Sequence, residues 1–203
     1  AWLPGEPGGQ PWTIALGGLR LEVRTTPAGQ VGLFPEHAVV AGWAAGQAER
    51  CAGATGRPAE VLNLFAHTGL ATLALAAAGA RVAHVDASRP AVAWARRNAG
   101  LSGLADRPVR WIVEDAARFV AREARRGRRY DGVVLDPPTY GHGPGRGAWR
   151  LAADLEALLA GVGSLLADGP WFVACTVHAA GADPLEVEQV VRAGVGGHAR
   201  TDV

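Results

Sequence analysis

From residue 60 onward, short apolar segments alternate with longer segments in which apolar residues recur at helical spacing. The short segments predict buried strands and the longer ones predict amphipathic helices. The predicted strands are Val61–Leu64, Arg81–Val85, Val109–Val113, Gly132–Leu135 and Trp171–Thr176. The predicted helices are Leu70–Ala78, Pro90–Asn98, Ala116–Arg126, Leu151–Leu166 and Pro184–Ala193. This alternation predicts an α/β fold with a doubly wound, mostly parallel sheet.

The segment before residue 60 has a different pattern. Trp12–Val23 alternates loosely around a pair of glycines, which predicts a β-hairpin, and Val31–Phe34 predicts a third short strand. Pro35–Glu49 predicts a helix. We therefore predict an N-terminal β-hairpin and helix extension at residues 1–58 and the α/β domain at residues 59–203. Methionine is absent, including at position 1, and the chain stops soon after the last predicted helix, so we expect both termini to have been trimmed.

Composition narrows the class of protein. Hydrophobic residues make up 49% and charged residues 19%, which is typical of a globular domain. The net charge of +1 gives no electrostatic argument for nucleic acid. No apolar run approaches the roughly 20 residues of a membrane span, so we predict no membrane association. Cys51 and Cys175 lie too far apart for a metal-cluster motif, so we predict no metal site and a reducing, cytoplasmic location.

Candidate ligand-binding residues follow the predicted strands, where doubly wound sheets bind their ligands. In Asn63–Gly69, a glycine permits close backbone approach and the next helix supplies free N–H donors. The loop lacks the three glycines of the dinucleotide motif, which counts against NAD. Asp86 can accept both hydroxyls of a ribose, and Asp115, next to Ala116, can bond an adenine amine. Either aspartate can instead cap a helix, as can Ser88.

The fourth predicted strand runs into Asp136-Pro137-Pro138-Thr139-Tyr140. Consecutive prolines fix the backbone and hold the neighbouring carbonyl groups rigid. These carbonyls and the Asp136 carboxylate can accept hydrogen bonds from a planar amine, and Tyr140 can stack on a base. The segment therefore predicts a reaction centre beside a nucleoside-shaped pocket.

Taken in order, these strand-end residues resemble motifs I to IV of class I S-adenosylmethionine-dependent methyltransferases. The closer resemblance is to the ribosomal RNA large-subunit methyltransferases that make 5-methylcytosine or 7-methylguanine. It covers about residues 12–190 and rests on Gly32–Glu36, Asn63–Gly69, Asp86–Ser88, Trp94–Asn98 and Leu135–Tyr140, with Gly141–Trp149. The resemblance implies a Rossmann-like fold, a methyltransferase activity and S-adenosyl-L-methionine as cofactor.

The resemblance also implies site residues. The implied cofactor-binding residues are Glu36, Asn63, Phe65, His67, Thr68, Gly69, Asp86, Ala87, Ser88, Asp115, Ala116 and Asp136. Among these, the loop residues would hold the methionine part, Asp86 the ribose, and Asp115 with Ala116 the adenine. The implied catalytic residues are Asp136, Pro137, Pro138, Tyr140 and Cys175. His37 stands where the resemblance leads us to expect a glutamine.

Cys175 decides between two acceptor chemistries. Family members that make 5-methylcytosine place a cysteine after the fifth strand, where a thiolate can attack carbon-6 of cytosine. His178 lies nearby in sequence and can lower the pKa of that thiol. Alternatively, Cys175 is an ordinary buried residue. In that case Asp136 and the two prolines would serve methylation of a nitrogen atom.

The acceptor implied by the resemblance is a base of ribosomal RNA, which would make RNA a partner and rRNA processing the context. Arg118–Arg129 contains six arginines, which can contact RNA phosphates or form a solvated face. The alternative is a small-molecule or protein methyltransferase, for which we expect an enclosed pocket lined by Trp43, Tyr140 and Trp149. A non-catalytic binding module on the same fold is a third possibility. The pattern does not predict an oligomeric state.

Overall fold

The computed structural model describes residues 10–26, 29–142, 148–178 and 183–196. Its strands are β1 (Trp12–Leu16), β2 (Leu19–Val23), β3 (Glu60–Leu64), β4 (Arg81–Asp86), β5 (Val109–Val113), β6 (Gly132–Leu135), β7 (Tyr140–His142), β8 (Ala148–Arg150) and β9 (Phe172–Cys175). Its helices are α1 (His37–Thr55), α2 (Leu70–Ala77), α3 (Arg89–Leu101), α4 (Ala116–Arg125), α5 (Leu151–Gly163) and α6 (Pro184–Val195).

Five strands form a parallel sheet in the order β5-β4-β3-β6-β9. The chain proceeds outward from β3 through β4 to β5, then returns to β6 on the other side of β3. The strand order therefore reverses between β3 and β6, where Val61 pairs with Gly132 and Leu64 with Leu135. The predicted doubly wound parallel sheet is confirmed, and the reversal fixes where a ligand is expected to bind.

Helices cover both faces of the sheet. On one face, Val61 and Val134 pack with α1 and α2, whose Ala44 and Leu75 are fully buried. On the other face, residues such as Leu64 pack against α4 and α5. Because both side-chain directions of each strand meet apolar neighbours, the central strands read as continuous apolar runs.

The predicted N-terminal hairpin is confirmed and packs on the α/β unit. The buried side chains of β2 share an apolar cluster with Leu73 of α2 and Ala99 of α3. The backbone N–H of Glu22 donates to Asn98 Oδ1 at 2.8 Å, and Trp94 Nε1 donates to the Glu22 carbonyl at 3.0 Å. The hairpin is therefore fastened to α3 by both apolar packing and hydrogen bonds.

The predicted third strand at Val31–Phe34 is wrong. Gly32 has a φ of 78°, and the Trp94 ring fills the space where a side chain of residue 32 would lie, 2.1 Å from an ideal Cβ. The segment consequently turns over α3 and leads into α1, which begins at His37 and continues to Thr55. A second difference is the short hairpin of β7 and β8, which the sequence pattern did not predict.

Some helix ends also differ from their predicted positions by a few residues. Helix α5 ends at Gly163, before the predicted Leu166, because Leu166 instead forms an isolated parallel bridge with Tyr130. None of the helices in the described ranges combines the length and the apolar character needed to cross a membrane.

Candidate active site

A pocket opens at the carboxyl ends of β3 and β6, where the strand order reverses. It lies between the start of α1, the loop after β3, and the ends of β6 and β9. The predicted residues that line it are Asn63, Phe65, His67, Thr68, Gly69 and Asp136, and residues not predicted include Phe34, His37 and Thr176. The structure thus brings the predicted glycine loop and the predicted reaction centre to one pocket.

The loop after β3 has an unusual backbone. Phe65 and His67 have φ values of 53° and 47°, in the left-handed region that residues with a Cβ rarely occupy. Hydrogen bonds hold this path: the Ala66 N–H donates to the Val85 carbonyl at 3.1 Å, and the His67 N–H donates to Asp86 Oδ2 at 2.8 Å. A strained backbone that its surroundings enforce is typical of a ligand-binding loop.

Gly69 begins α2 with a φ of 94°, and a Cβ at this position would lie 2.9 Å from the Cβ of Ala95. The glycine therefore allows the loop to approach α3 as well as to turn.

Thr68 fastens the loop to the rest of the fold. Its buried hydroxyl donates to the Gly32 carbonyl at 2.6 Å, and its carbonyl accepts from Asn98 Nδ2 at 2.9 Å. The cofactor role predicted for Thr68 stays a prediction, although its hydroxyl is engaged within the protein. Sequence reasoning missed the role of Asn98 and of Gly32. Their presence in the Trp94–Asn98 and Gly32–Glu36 segments was the available signal.

A row of buried side chains, joined by hydrogen bonds, lies beneath the pocket. Asn63 Nδ2 donates to Thr72 Oγ1 at 2.8 Å, and Thr72 Oγ1 lies 2.9 Å from His84 Nδ1. Burial lowers the pKa of His84 to about 3, with the charge of His67 a smaller cause, so the imidazole is neutral at ordinary pH. His84 Nε2 has no hydrogen-bond partner among the described residues. These three side chains link β3, α2 and β4 beneath the loop.

Asp86 lies at the end of β4, as predicted for a ribose ligand. Its Oδ1 accepts from the Ser88 N–H at 2.8 Å, and its Oδ2 accepts from the His67 N–H. Each oxygen keeps a lone pair that can accept a further hydrogen bond. Ser88, not Asp86, caps α3 through its hydroxyl, and Ala87 and Ser88 are both exposed.

Asp115 and Glu36 occupy helix starts. Asp115 Oδ1 accepts from the Arg118 N–H at 3.0 Å, so the carboxylate caps α4, and Ala116 beside it is buried. Glu36 precedes α1, is exposed and does not line the pocket. The capping role expected as an alternative for Asp115 is therefore present, and the adenine and cofactor roles of these two residues stay predictions.

Asp136, directly after β6, is the centre of a polar cluster. Its Oδ1 accepts a hydrogen bond from the Thr176 hydroxyl. His178 Nε2 lies 3.3 Å from Oδ1, and His37 Nδ1 lies 3.6 Å from Oδ2. The two imidazoles also face each other, with 2.8 Å between their Nε2 atoms. Sequence reasoning did not place His37 or Thr176 here because they lie far from Asp136 along the chain.

The two prolines present their carbonyls differently. Pro138 is exposed and its carbonyl accepts from Trp149 Nε1 at 2.7 Å, while Pro137 is buried. Within the described residues, no hydrogen bond reaches the Pro137 carbonyl. Tyr140 has 75% of its surface exposed, which leaves its ring open to a stacking partner.

Cys175 lies on the face of β9 opposite the pocket. Its side chain packs with the apolar cluster on the α4 and α5 face, whereas the next residue, Thr176, lines the pocket. Burial, with a smaller contribution from the Asp136 charge, raises the pKa of the Cys175 thiol to about 12. The predicted depression of this pKa by His178 is therefore wrong, and the thiol is protonated near neutral pH.

The three aromatic residues expected around an enclosed pocket are dispersed. Trp43 packs edge-on against Phe172, near the opposite end of the sheet, with ring centroids 5.8 Å apart. Trp149 lies against Phe65 at 5.3 Å, and Tyr140 is exposed. None of the three lines the pocket beside Asp136.

The arginine-rich segment Arg118–Arg129 is partly engaged in structure. Arg122 pairs with Glu114, and the buried Glu123 accepts from the Tyr130 hydroxyl at 2.8 Å. Burial favours a raised pKa for Glu123, but the Tyr130 hydrogen bond and the charge of Arg110 outweigh it, so the pKa is lowered. The other five arginines of the segment are exposed.

The chain is similar to known proteins over most of its length. The family model described as S-adenosylmethionine-dependent methyltransferase matches residues 1–199. The ribosomal RNA large subunit methyltransferase K/L of Methylococcus capsulatus is 33% identical over 162 residues, which are 79% of this chain and 21% of that protein. The chain thus spans about a fifth of this curated relative's length.

Solved structures show the same fold. The SAM-dependent methyltransferase from Agrobacterium tumefaciens is 38% identical with a TM-score of 0.88, over 97% of this chain and 61% of that one. The methyltransferase SMU.776, complexed with SAH, gives a TM-score of 0.82 over 98% of this chain and 50% of that one. At 20% identity, the second likeness shows the fold alone.

Proposed function

Because the chain belongs to the S-adenosylmethionine-dependent methyltransferase family, we propose that it methylates a nitrogen atom on a base of ribosomal RNA. The predicted family, Rossmann-like fold and cofactor are confirmed by the family and structural matches. The observation that carries the acceptor proposal is the position of Asp136 in the same pocket as the loop after β3. A carboxylate there can hold an acceptor amine in the pocket where the loop would hold the cofactor.

The residues present fit the cofactor. Two backbone N–H groups fix the Asp86 carboxylate at the end of β4 and leave lone pairs for two ribose hydroxyls. The left-handed turns at Phe65 and His67 and the glycine at 69 bring the loop backbone along the pocket. We assign Asp115 and Ala116 to the adenine and the loop residues to the methionine part. When bound, the cofactor supplies an electrophilic methyl group on its sulfonium sulfur.

The acceptor side suits a planar amine. Asp136 lines the pocket and is partly exposed, and the two consecutive prolines after it hold the backbone rigid. The Asp136 carboxylate can accept hydrogen bonds from an amino group and orient its lone pair toward the methyl group. Tyr140 can stack on the base that carries the amine. Alignment of this kind supports nitrogen as the acceptor atom.

The state of Cys175 supports nitrogen over carbon-5 of cytosine. Methylation of that carbon requires a thiolate. The Cys175 thiol has a pKa raised to about 12 and packs on the far face of β9 from the pocket. A thiolate at this position would be scarce at neutral pH.

Ribosomal RNA is proposed from the curated relative and from the open shape of the acceptor side. The relative from Methylococcus capsulatus is named as acting on large-subunit ribosomal RNA. The exposed Tyr140 and the absence of Trp43 from the pocket argue for a large acceptor over an enclosed small molecule. Such an enzyme would work in the cytoplasm, and exposed arginines such as Arg125 are candidates for phosphate contacts.

The test is transfer of a tritiated methyl group from the cofactor to the RNA, DNA, protein and small-molecule fractions of a cell extract, which are counted separately. We expect label in the ribosomal RNA fraction with the wild-type chain and little label with Asp136→Asn. Label in protein or in small molecules alone would show the alternative acceptor class, and the RNA proposal would be discarded.

A further inference from the structure

Three side chains with metal-ligand atoms meet beside the pocket, although they are distant in sequence. His37 begins α1, Asp136 follows β6, and His178 follows β9. One ligand atom from each lies within 4.8 Å of the others. We propose that these residues form a binding site for a divalent transition-metal ion such as Zn²⁺.

Two of the spacings between the ligand atoms, those that involve His178 Nε2, are close to what a tetrahedral ion requires. Bonds of about 2.0–2.1 Å around Zn²⁺ place neighbouring ligand atoms roughly 3.3 Å apart. The distance from His178 Nε2 to Asp136 Oδ1 is 3.3 Å. The Nε2 atoms of His37 and His178 are 2.8 Å apart and share a hydrogen bond, so they need to separate by only about half an ångström. A side-chain rotation of His178, which is 52% exposed, can supply this movement.

Each of the three ligand residues also contacts a neighbouring group. The Thr176 hydroxyl donates to Asp136 Oδ1, and the Thr139 hydroxyl donates to the His178 carbonyl at 2.7 Å. The His37 ring packs at 5.6 Å from the Phe34 ring. Hydrogen bonds to ligating residues orient them and strengthen metal binding.

The donor set selects the type of ion. Two imidazole nitrogens and one carboxylate favour Zn²⁺ and its transition-metal neighbours, whereas Mg²⁺ and Ca²⁺ prefer sites made of oxygen. Three protein ligands are fewer than the four of a closed structural zinc site, so coordination positions remain for water or another group. The side chains of His37 and Asp136 are 20% and 29% exposed, which leaves the site reachable from solvent.

The metal site goes beyond the proposed function. Asp136, which the proposed function assigns to the acceptor amine, is also a metal ligand here. The sequence predicted no metal site, since its spacing rules consider neighbouring cysteines and histidines. Here His37 and His178 are 141 residues apart and only the fold unites them. Metal binding can be measured without RNA or cofactor, so it succeeds or fails independently of the methyltransferase proposal.

The experiment is calorimetric titration of Zn²⁺ into the EDTA-treated chain at neutral pH, with Mg²⁺ as a second titrant. We expect one Zn²⁺ per chain and no comparable binding of Mg²⁺. His37→Gln and His178→Gln keep polar side chains of similar length but remove a ligand nitrogen, and each should weaken Zn²⁺ binding at least about tenfold. Glu49→Gln, which removes an exposed acid of α1 that is twelve residues beyond His37, should bind Zn²⁺ as the wild type does.

Two further measurements keep the outcome decisive. Thermal melts of the metal-free variants establish that they fold, and Cys175→Ser excludes binding through that thiol if Zn²⁺ affinity is unchanged. The proposal is overturned if the wild-type chain binds no Zn²⁺. It is equally overturned if the folded His37→Gln/His178→Gln double variant binds Zn²⁺ as tightly as the wild type.

Discussion

The two halves of the sheet edge differ in how their polar groups are held. In the half that we propose binds the cofactor (the cofactor half), after β3, β4 and β5, the polar groups are fixed by the fold: Asp86 by two backbone N–H groups, Thr68 by Gly32 and Asn98. In the acceptor half, after β6 and β9, Asp136 and His178 bond mainly to other partly exposed side chains. The first half is built before any ligand arrives, whereas the second can rearrange around its ligand.

This difference suits the chemistry that each half has to perform. A cofactor common to the family needs a rigid site with few adjustable contacts, because preorganisation reduces the entropy lost on binding. An acceptor base has to be positioned against the methyl group, and the groups that do so determine substrate choice. We therefore expect substitutions in the two halves to affect different measured quantities.

The largest expected effect is a loss of methyl-transfer rate when a residue of the acceptor half is changed. Asp136→Asn should lower the rate of methyl transfer by about 100-fold or more, because the amide cannot hold the acceptor amine as the carboxylate does. Its effect on cofactor affinity should be small by comparison. Single-turnover kinetics together with calorimetric titration of the cofactor measure both quantities on the same preparation.

Asp86→Asn is the matched change in the other half. We expect cofactor affinity to fall about tenfold, since charged hydrogen bonds to the ribose are lost, with transfer largely recovered at saturating cofactor. If both variants lost affinity and rate to the same extent, the two halves would not be functionally separate.

The close packing of the Gly32 segment against α3 predicts an effect on the free energy of unfolding. Gly32→Ala should destabilise the protein by about 3 kcal/mol, because a Cβ would collide with the Trp94 ring at 2.1 Å and φ is positive. Gly103→Ala is the control, since its φ of 69° is also positive but open space surrounds it. It should cost only about 1 kcal/mol. Chemical denaturation of both variants gives the difference, and equal costs would contradict close packing at Gly32.

His84 is buried beneath the loop of the cofactor half. It makes the free energy of unfolding depend on pH. Its pKa is about 3 in the folded protein against 6.5 in the unfolded chain, so below pH 6.5 the unfolded chain binds the extra proton. This group's contribution is therefore complete above pH 6.5 and declines as pH falls toward 3, by up to about 1.4 kcal/mol per pH unit. His84→Gln should flatten this part of the profile. If the variant and the wild type have the same pH dependence in urea unfolding from pH 7 to 4, folding does not lower the pKa of His84.

The smallest expected effect concerns the acceptor half. Cys175→Ala should change the methyl-transfer rate by less than about threefold, because a protonated thiol on the opposite face contributes nothing to the chemistry. Rate measurements at saturating cofactor and RNA check this. A loss comparable to that of Asp136→Asn would return the acceptor to carbon-5 of cytosine.

Local sequence predicted most of the fold and the cofactor half. Apolar strands buried on both faces, and acids directly after them, leave a signal within a few residues, as at Val61–Leu64 and Asp86. The acceptor half was predicted only at Asp136 because its other members arrive from distant segments. His37 and Thr176 meet Asp136 through the pairing of β6 with β9 and the position of α1, which no local pattern encodes.

The local sequence pattern also could not predict on which face of the sheet the Cys175 side chain lies. Its position after an apolar strand is compatible with either face of the sheet, and a one-residue change in alternation exchanges the faces. Only the register of β9 against β6 shows that Thr176, not Cys175, meets the pocket.

Identification of the nucleoside that acquires the methyl group tests the proposed methylation of a base nitrogen in ribosomal RNA. Ribosomal RNA is incubated with the wild-type chain and isotope-labelled cofactor, digested to nucleosides and analysed by mass spectrometry. We predict a labelled nucleoside methylated at a base nitrogen, absent with Asp136→Asn and retained with Cys175→Ala. Labelled 5-methylcytidine that disappears with Cys175→Ala, or no labelled nucleoside at all, would contradict the account.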